Sequence, residues 1–536
     1  MTRLADSYCS GPRGAFIAPL TIGAMLARQA ATRPDAMALK ELTAAGDIGR
    51  AWTYAALHDD ASRLARALSG RHAKGARIAI WANNIPEWVL IELASAIAGL
   101  TLVTVNPAFQ SRELKYVLKQ SRAEGLYLID EFRGNPMAAI ADEVCAQLPA
   151  IRHRITLTDH ARLYDGADLG RLPDVAPSDV CQIQYTSGTT GFPKGALLHH
   201  WGLLKNGHDA MTRAGVDPGD AFVHHMPLFH TTGCAILVLG GLARGATMLL
   251  APMFDPETIV RVIERERPRF MLGVPTMIVA LVEEAVKSGR DMSSIRRIMS
   301  GGAMVPPELV RKAQSAFGSV IQIVYGQTEA SPVITQTRHD DAFDDLCGTI
   351  GVALDDVEVS IRDVTTNAVA AIGEQGEICA RGYLIMDGYN DNPDGTAKAI
   401  DKDGWLHTGD LGRMDARGFL KITGRVKEMI IRGGENLFPA EIENALLEHE
   451  AILEIAVVGV ADEKWGEQVA CFMRARGDAR PLPAELKAFV RARLAAQKTP
   501  AYWIWVDQWP LTGSGKIQKF KLAEAFARGE FTGLTA

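Results

Sequence analysis

Residues Tyr185 to Gly195 read YTSGTTGFPKG, a run of hydroxyls and glycines closed by a lysine. Such a run can bind phosphate. Glycines let backbone N–H groups approach an anion, hydroxyls add donors, and lysine supplies a compact positive charge. Thr186, Ser187, Thr189 and Thr190 are the candidate donors, Gly188 and Gly191 the points of close approach, and Lys194 the charge. The run is not a Walker loop: Pro193 stands where a glycine should precede the lysine, and Gly195 where Ser or Thr should follow it. The apolar residues 180–184 (VCQIQ) predict a buried strand before the loop, and ALLHHWGLLKNGHDAM predicts a helix after it. That order would aim a helix N-terminus at the anion.

Other chemistry-bearing residues recur along the chain. His230 lies in PLFHTTG with Cys234 just beyond it, Gly301, Gly302 and Ala303 form a small-residue turn, and Tyr325-Gly326-Gln327-Thr328-Glu329 follows a short apolar run. Asp410 sits in TGDLG, Arg425 in GRVKE, Gly433-Gly434-Glu435-Asn436 in a glycine turn, and Lys516 in GSGKIQK. Taken singly, each has an ordinary structural use as a turn, a cap or a solvated charge. The adjacent pairs His199-His200 and His224-His225 are poor metal sites, because neighbours on a helix or strand do not face one point.

Positioning these groups calls for alternating strands and helices. Strands are predicted over residues 36–41, 77–81, 100–105, 127–129, 155–157, 221–226, 246–250, 270–273, 298–300 and 321–324, with helices at 20–34, 54–68, 256–266 and 278–288 between them. This is the pattern of parallel α/β layers. Ligands in open α/β sheets sit at the carboxyl ends of strands, so the loops beginning at 185, 227, 301 and 325 are expected to share one crevice. From Gly348 the texture turns to short strands and turns, predicting a small β-rich subdomain. Beyond about 424–427 a compact α/β module follows, with a helix at 439–448, a strand at 452–459 and a helix at 482–494.

The 536 residues are too many for one compact core. A net charge of −6 argues against nucleic-acid binding by bulk charge. Seven scattered cysteines without a CxxC pair argue against a disulfide framework or a zinc site. The N-terminus has no continuous apolar signal segment. The one membrane-like stretch, 88–105, carries Glu92 and is split by Gly99, so it reads as a buried helix feeding a buried strand. A cytoplasmic protein with no nucleic-acid partner and no transmembrane segment is expected.

In order, YTSGTTGFPKG, YGQTE, WLHTGDLG, GRVKEMIIRGGENLFPAEIE and PLTGSGKIQK resemble the motifs of the adenylate-forming enzymes: acyl-CoA synthetases, peptide-synthetase adenylation domains and luciferases. The likeness covers about residues 20–525 and is nearest the fatty-acid-type acyl-CoA synthetases. It implies an α/β fold. A large N-terminal AMP-binding domain (1–424), of layered α/β subdomains plus the β-rich one, meets a hinge (425–427) and a small mobile α+β domain (428–536). The implied activity is an AMP-forming acid–CoA ligase using ATP, Mg²⁺ and coenzyme A, through an acyl-adenylate.

The resemblance implies roles residue by residue. Thr186 through Gly191 and Lys194 hold the β- and γ-phosphates. Gly302, Ala303, Tyr325, Gly326, Gln327 and Thr328 flank the adenine and α-phosphate, while Asp410 and Arg425 take the ribose. Thr186 and Glu329 hold Mg²⁺, hard oxygen ligands suited to it. Lys516 bridges carboxylate and α-phosphate in the first step, Lys427 is the hinge, and Gly433 to Asn436 line the pantetheine tunnel. His230 stands at the mouth of an acyl pocket formed with Cys234, Val274, Met299 and Gly301. His230 offers no carboxylate to an α-amino group, and Cys234 replaces the tryptophan gate of some long-chain enzymes. The expected acid is a medium- or long-chain fatty acid. An aryl or alicyclic acid, or delivery to a carrier-protein pantetheine, are the alternatives; a luciferase-like monooxygenase and a non-catalytic nucleotide binder are the remoter ones. A homodimer is carried as a further partner expectation.

Overall fold

The computed structural model describes residues 3–14, 18–167, 171–186, 193–303, 305–433, 435–511, 517–531 and 534–535, excluding the side chains of 435, 436, 534 and 535. Apolar residues at strand and helix spacing condense into three sheets before residue 426 and a fourth after it. The first has seven strands, in the order Gly388–Tyr389, Lys194–His199, Val180–Thr186, Thr101–Val105, Arg77–Trp81, Gly125–Leu128 and His153–Thr156. Its last five strands are parallel, and the first two are added antiparallel.

The second sheet has nine strands. Its parallel centre runs Val320–Gly326, Arg297–Gly301, Phe270–Leu272, Ala221–His224, Thr247–Leu250 and Met37–Leu42, with antiparallel strands at both margins. The third is five-stranded and antiparallel. Tyr8–Ser10 from the N-terminus pairs there with Val357–Arg362, so the β-rich subdomain borrows its edge from the start of the chain. After residue 426, Gly466–Ala475 pairs with Ile452–Asp462, Ile430–Arg432 and Tyr502–Trp505 in a separate sheet with its own apolar cores on two faces.

The helices form where capping and apolar spacing agree. Pro256–Glu266 starts at Asp255, whose side chain accepts the Thr258 N–H; Pro256 takes the first turn and Arg267 ends it left-handed. Pro86–Ile97 is buried on nearly every side, Glu92 included, as the 88–105 reading requires. One apolar core runs through the seven-stranded, nine-stranded and β-rich layers, and a second lies under the outer helices of the nine-stranded sheet.

One expectation is corrected. The residues after the phosphate loop do not begin as a helix: Lys194–His199 is a strand, antiparallel to Val180–Thr186, and the helix His200–Arg213 starts only after it. The flanking strands therefore form a hairpin, and residues 194–199 present no helix N-terminus. Alternate residues decide the matter. Ala196 and Leu198 are fully buried, and pairing on both edges satisfies the backbone. The four strand ends come from two sheets: the loop at 185 leaves the seven-stranded sheet, and those at 227, 301 and 325 leave the nine-stranded one.

Candidate active site

Asp410 is the centre of one cluster. It lies on the Leu406–Met414 strand directly opposite Arg425, the last residue of its antiparallel neighbour. Arg425 Nε is 2.9 Å from Asp410 Oδ1, and the Tyr325 hydroxyl donates to Oδ2 at 2.9 Å from the end of a nine-stranded-sheet strand. The carboxylate is almost wholly buried. Burial and the adjacent Asp410 charge push the Tyr325 hydroxyl well above its usual range, so it stays a neutral donor. Asp410 in turn raises Arg425.

The turn before Asp410 is fixed in depth. Glu377 Oε1 accepts the Gly409 N–H at 2.8 Å, and Glu377 Oε2 lies 2.7 Å from His407 Nδ1. The Thr408 hydroxyl accepts from Asp410 N at 3.1 Å and donates to the Ile378 carbonyl. Glu377, Cys379 and His407 are the one group of three among the described residues whose ligand atoms could converge on an ion. His407 is already satisfied as the partner of Glu377, and burial pushes the Cys379 thiol up, away from the thiolate a metal needs.

A second cluster joins the flanks of the phosphate loop to Glu329. Thr186 and Lys194 face each other across the hairpin. Lys194 Nζ lies 4.7 Å from the centre of the Tyr389 ring, and the Tyr389 hydroxyl donates to Glu329 Oε1 at 2.7 Å. Glu329 is buried in the short 3₁₀ turn Thr328–Ala330, and its carbonyl accepts from Met386 N. The hairpin is gripped from outside: Tyr116 donates to the Pro193 carbonyl at 2.9 Å, and Tyr185 donates to Gln120 Oε1, which also accepts from Asn390.

The small-residue turn is tightly packed. A side chain on Gly301 would strike the Val324 carbonyl, while Val274 Cγ1 lies 3.8 Å from where a Gly302 Cβ would stand. Ala303 lies in the bend that follows its strand, Gly326 ends its strand with Gln327 next after it, and Thr328 opens the 3₁₀ turn. Met299 is wholly buried on its strand. His230 is exposed, its Nδ1 accepting from Thr232 N at 3.2 Å. Cys234, four residues on, is wholly enclosed in the π-helical segment Thr232–Leu239. Gln184 donates to its sulfur at 3.1 Å, and Gln182, the 3.5 Å acceptor of its thiol, also donates to the buried Glu92 at 2.7 Å. Cys234 N donates to the His230 carbonyl at 3.1 Å, so the two stand one turn apart, one exposed and one enclosed.

Beyond the junction, Lys427 sits in the 3₁₀ turn Val426–Glu428. Lys519 bonds Glu428 at 2.7 Å and Glu443 at 2.8 Å, tying that turn to the C-terminal layer. Gly433 has φ +60° and lies under the Trp465 indole, where a Cβ would come within 2.8 Å of the ring. Glu435 and Asn436 belong to the strand that follows. The expectations for Ser187, Gly188, Thr189, Thr190, Gly191, Gly434 and Lys516 fall outside the described residues.

Tyr389 and Trp465 were not singled out from sequence. Tyr389 stands in a Gly-Tyr pair whose only local cue is the following NDNP turn, and Trp465 in a charged hairpin tip, DEKWGE. Neither carries a motif that names a partner.

Comparison with known proteins agrees with this geometry. The model of the AMP-binding enzyme family matches residues 26–390, and that of the AMP-binding enzyme C-terminal domain matches residues 441–516. YngI of Bacillus subtilis (strain 168), named as an acyl-CoA synthetase, is 38% identical over 94% of this chain and 96% of its own. The mitochondrial medium-chain acyl-CoA ligase ACSF2 of Bos taurus is 34% identical over 97% of this chain and 89% of its own. Among solved structures, ATP-bound MatB from Rhodopseudomonas palustris superposes with a TM-score of 0.83 at 28% identity, covering 95% of this chain and 99% of that one. The Mycobacterium tuberculosis fatty acyl CoA synthetase gives 0.77 at 28% identity with the same coverage. With both parts matched and a third or more of the residues shared along almost the whole length, the chain belongs to the AMP-binding enzyme family and is an ATP-dependent acid–CoA ligase.

Proposed function

We propose that this ligase activates a medium-chain fatty acid, with Asp410 as the ribose acceptor, Glu329 and Thr186 as Mg²⁺ ligands, and the 185–195 loop as the triphosphate grip. The observation that carries the site assignment is the Tyr325–Asp410–Arg425 cluster, where one buried carboxylate is held by donors from two other strands. An acceptor-only group so fixed suits a pair of ribose hydroxyls. The choice of acid is supported by the likeness to proteins named medium-chain acyl-CoA ligases, and by Cys234, a small, wholly enclosed residue at the position of the long-chain gate.

Glu329 fits a hard divalent cation. Tyr389 occupies Oε1, and among the described residues nothing is bonded to Oε2. When bound, Mg²⁺ would neutralise charge on the phosphates. The substrate carboxylate oxygen attacks the α-phosphorus, the bond to the bridging oxygen breaks, and pyrophosphate leaves. Lys516 is assigned to the charge that develops there. The CoA sulfur then attacks the acyl carbon of the adenylate, its proton passes to solvent, and AMP leaves with the electrons of the broken anhydride bond. Gly433 and the residues after it are assigned to the thiol's path, with Lys427 as the pivot between the two arrangements. Positioning and electrostatics carry both steps.

The test is pyrophosphate release and thioester formation over saturated acids from C4 to C18, with benzoate and cyclohexane carboxylate beside them. A maximum in kcat/KM at C6–C12 is expected. A maximum at C16–C18 or on the ring acids would overturn the choice of acid, and transfer to a carrier protein in preference to free CoA would overturn the acceptor. Cytoplasmic residence and a homodimer remain proposals on the same footing; among the described residues no helix is long and apolar enough to cross a membrane.

A further inference from the structure

We infer that Tyr389 is a positioning residue that presents Glu329 to the metal and Lys194 to the phosphates, binding the two halves of the triphosphate site through one side chain. The inference rests on the assignment of Glu329 and Lys194 above. Its own basis is geometric. The tyrosine touches both groups at once, its ring face 4.7 Å from Lys194 Nζ and its hydroxyl 2.7 Å from Glu329 Oε1. Lys194 opens a strand of the seven-stranded sheet, and Glu329 follows a strand of the nine-stranded sheet.

Tyr389 is itself held from several directions. Its strand, Gly388–Tyr389, pairs antiparallel with Lys194–His199, Tyr389 opposite Ala196. Its N–H donates to the Thr396 hydroxyl at 2.9 Å, and the next residue, Asn390, donates from its backbone to the Gly195 carbonyl at 2.8 Å and from its side chain to the Gln120 carbonyl at 2.8 Å. Thr396 fits because Gly388 has no side chain: a Cβ there would come within 2.8 Å of the Thr396 methyl. A tyrosine so clamped fixes the rotamer of any group bonded to it.

The chemistry follows from the donor. The Tyr389 hydroxyl, an ordinary neutral donor, gives its proton to the hydrogen bond with Glu329 Oε1. A neutral donor on Oε1 leaves the negative charge on Glu329 and orients Oε2, to which nothing among the described residues is bonded. This is the usual task of an outer partner to a metal ligand, and losing such a partner typically weakens metal binding about 10–100-fold. The ring face meanwhile restrains the Lys194 ammonium beside the loop it must serve.

Two variants separate these functions. Tyr389→Phe keeps the ring and removes the hydroxyl; Tyr389→Leu removes both. The primary measurement is Mn²⁺ binding to the enzyme–ATP complex by electron paramagnetic resonance, with ATP binding in EDTA by calorimetry beside it; neither needs an acid substrate. Tyr389→Phe is expected to weaken Mn²⁺ binding about tenfold or more while holding metal-free ATP binding within twofold. Tyr389→Leu is expected to weaken metal-free ATP binding as well, about threefold or more. Wild-type Mn²⁺ affinity in Tyr389→Phe overturns the inference, as does a matching loss of metal-free ATP binding in that variant. Failure of the ligase assignment shows separately, as absence of AMP production across the acid panel.

Discussion

Asp410 receives two donors from two other strands, and that arrangement sets what its removal should cost. In Asp410→Asn, the amide retains one acceptor oxygen and turns an N–H₂ toward Arg425 or the Tyr325 hydroxyl, where an acceptor is needed. A hydrogen bond to a charged group contributes about 2 kcal/mol, so ATP binding should weaken about 30-fold. The check is calorimetric titration with ATP beside a thermal melt. A drop in ATP affinity with a melt near that of the wild type supports a ribose role, whereas unchanged affinity with a lowered melt would make Asp410 a structural brace. At this scale the sequence was informative wherever a motif carries its own chemistry, as Asp410 does in TGDLG. Tyr389 shows the limit. Its significance lies in contacts with Lys194 and Glu329, which are 195 and 60 positions away, and no local pattern marks a tyrosine for partners so distant.

Elements were legible where their determinants are local. Arg77–Trp81 and Pro256–Glu266 fall where the apolar spacing, Asp255 and Pro256 put them. Lys194–His199 was not legible, because a short apolar run suits strand or helix equally, and the decision comes from pairing with residues 180–186 and 388–389. The His200 helix start and the strand end at His224 yield a pH prediction. Burial pushes His200, His224 and His225 down from 6.5 to about 4, 3 and 4. A folded value below the unfolded one means these groups contribute stability that is fully present above pH 6.5 and is lost as pH falls through their folded values. Each costs about 1.4 kcal/mol per pH unit within its window. Urea midpoints measured from pH 7.5 to 4.5 should fall steeply below 6.5, and His225→Gln should flatten that slope by about one proton. An unchanged slope would mean that His225 already takes up its proton in the folded state.

At the scale of the whole molecule, the described residues form three sheets before residue 426 and one after, joined at the Val426–Glu428 turn. Arg425 is paired with Asp410 on one side of that turn, and Glu428 with Lys519 on the other. The proposed chemistry asks for a pivot: it assigns Lys516 to the first step and the segment from Gly433 to the second, and both belong to the chain after the turn. Lys427→Pro fixes one backbone angle at about −65° and restricts Val426 as well. If the turn is the pivot, this variant should form the acyl-adenylate at near wild-type rate but pass it to CoA at least tenfold more slowly. Lys516→Ala should do the reverse, slowing adenylation by on the order of 10²–10³-fold as for loss of one electrostatic donor, while a supplied acyl-adenylate is still converted to thioester. Single-turnover assays of the two half-reactions read both. Two variants with opposite losses require one mobile part that serves two steps in turn. If Lys427→Pro supports normal overall turnover, the pivot lies elsewhere, and if Lys516→Ala depresses both half-reactions equally, the division of labour between the two faces of the C-terminal part is wrong.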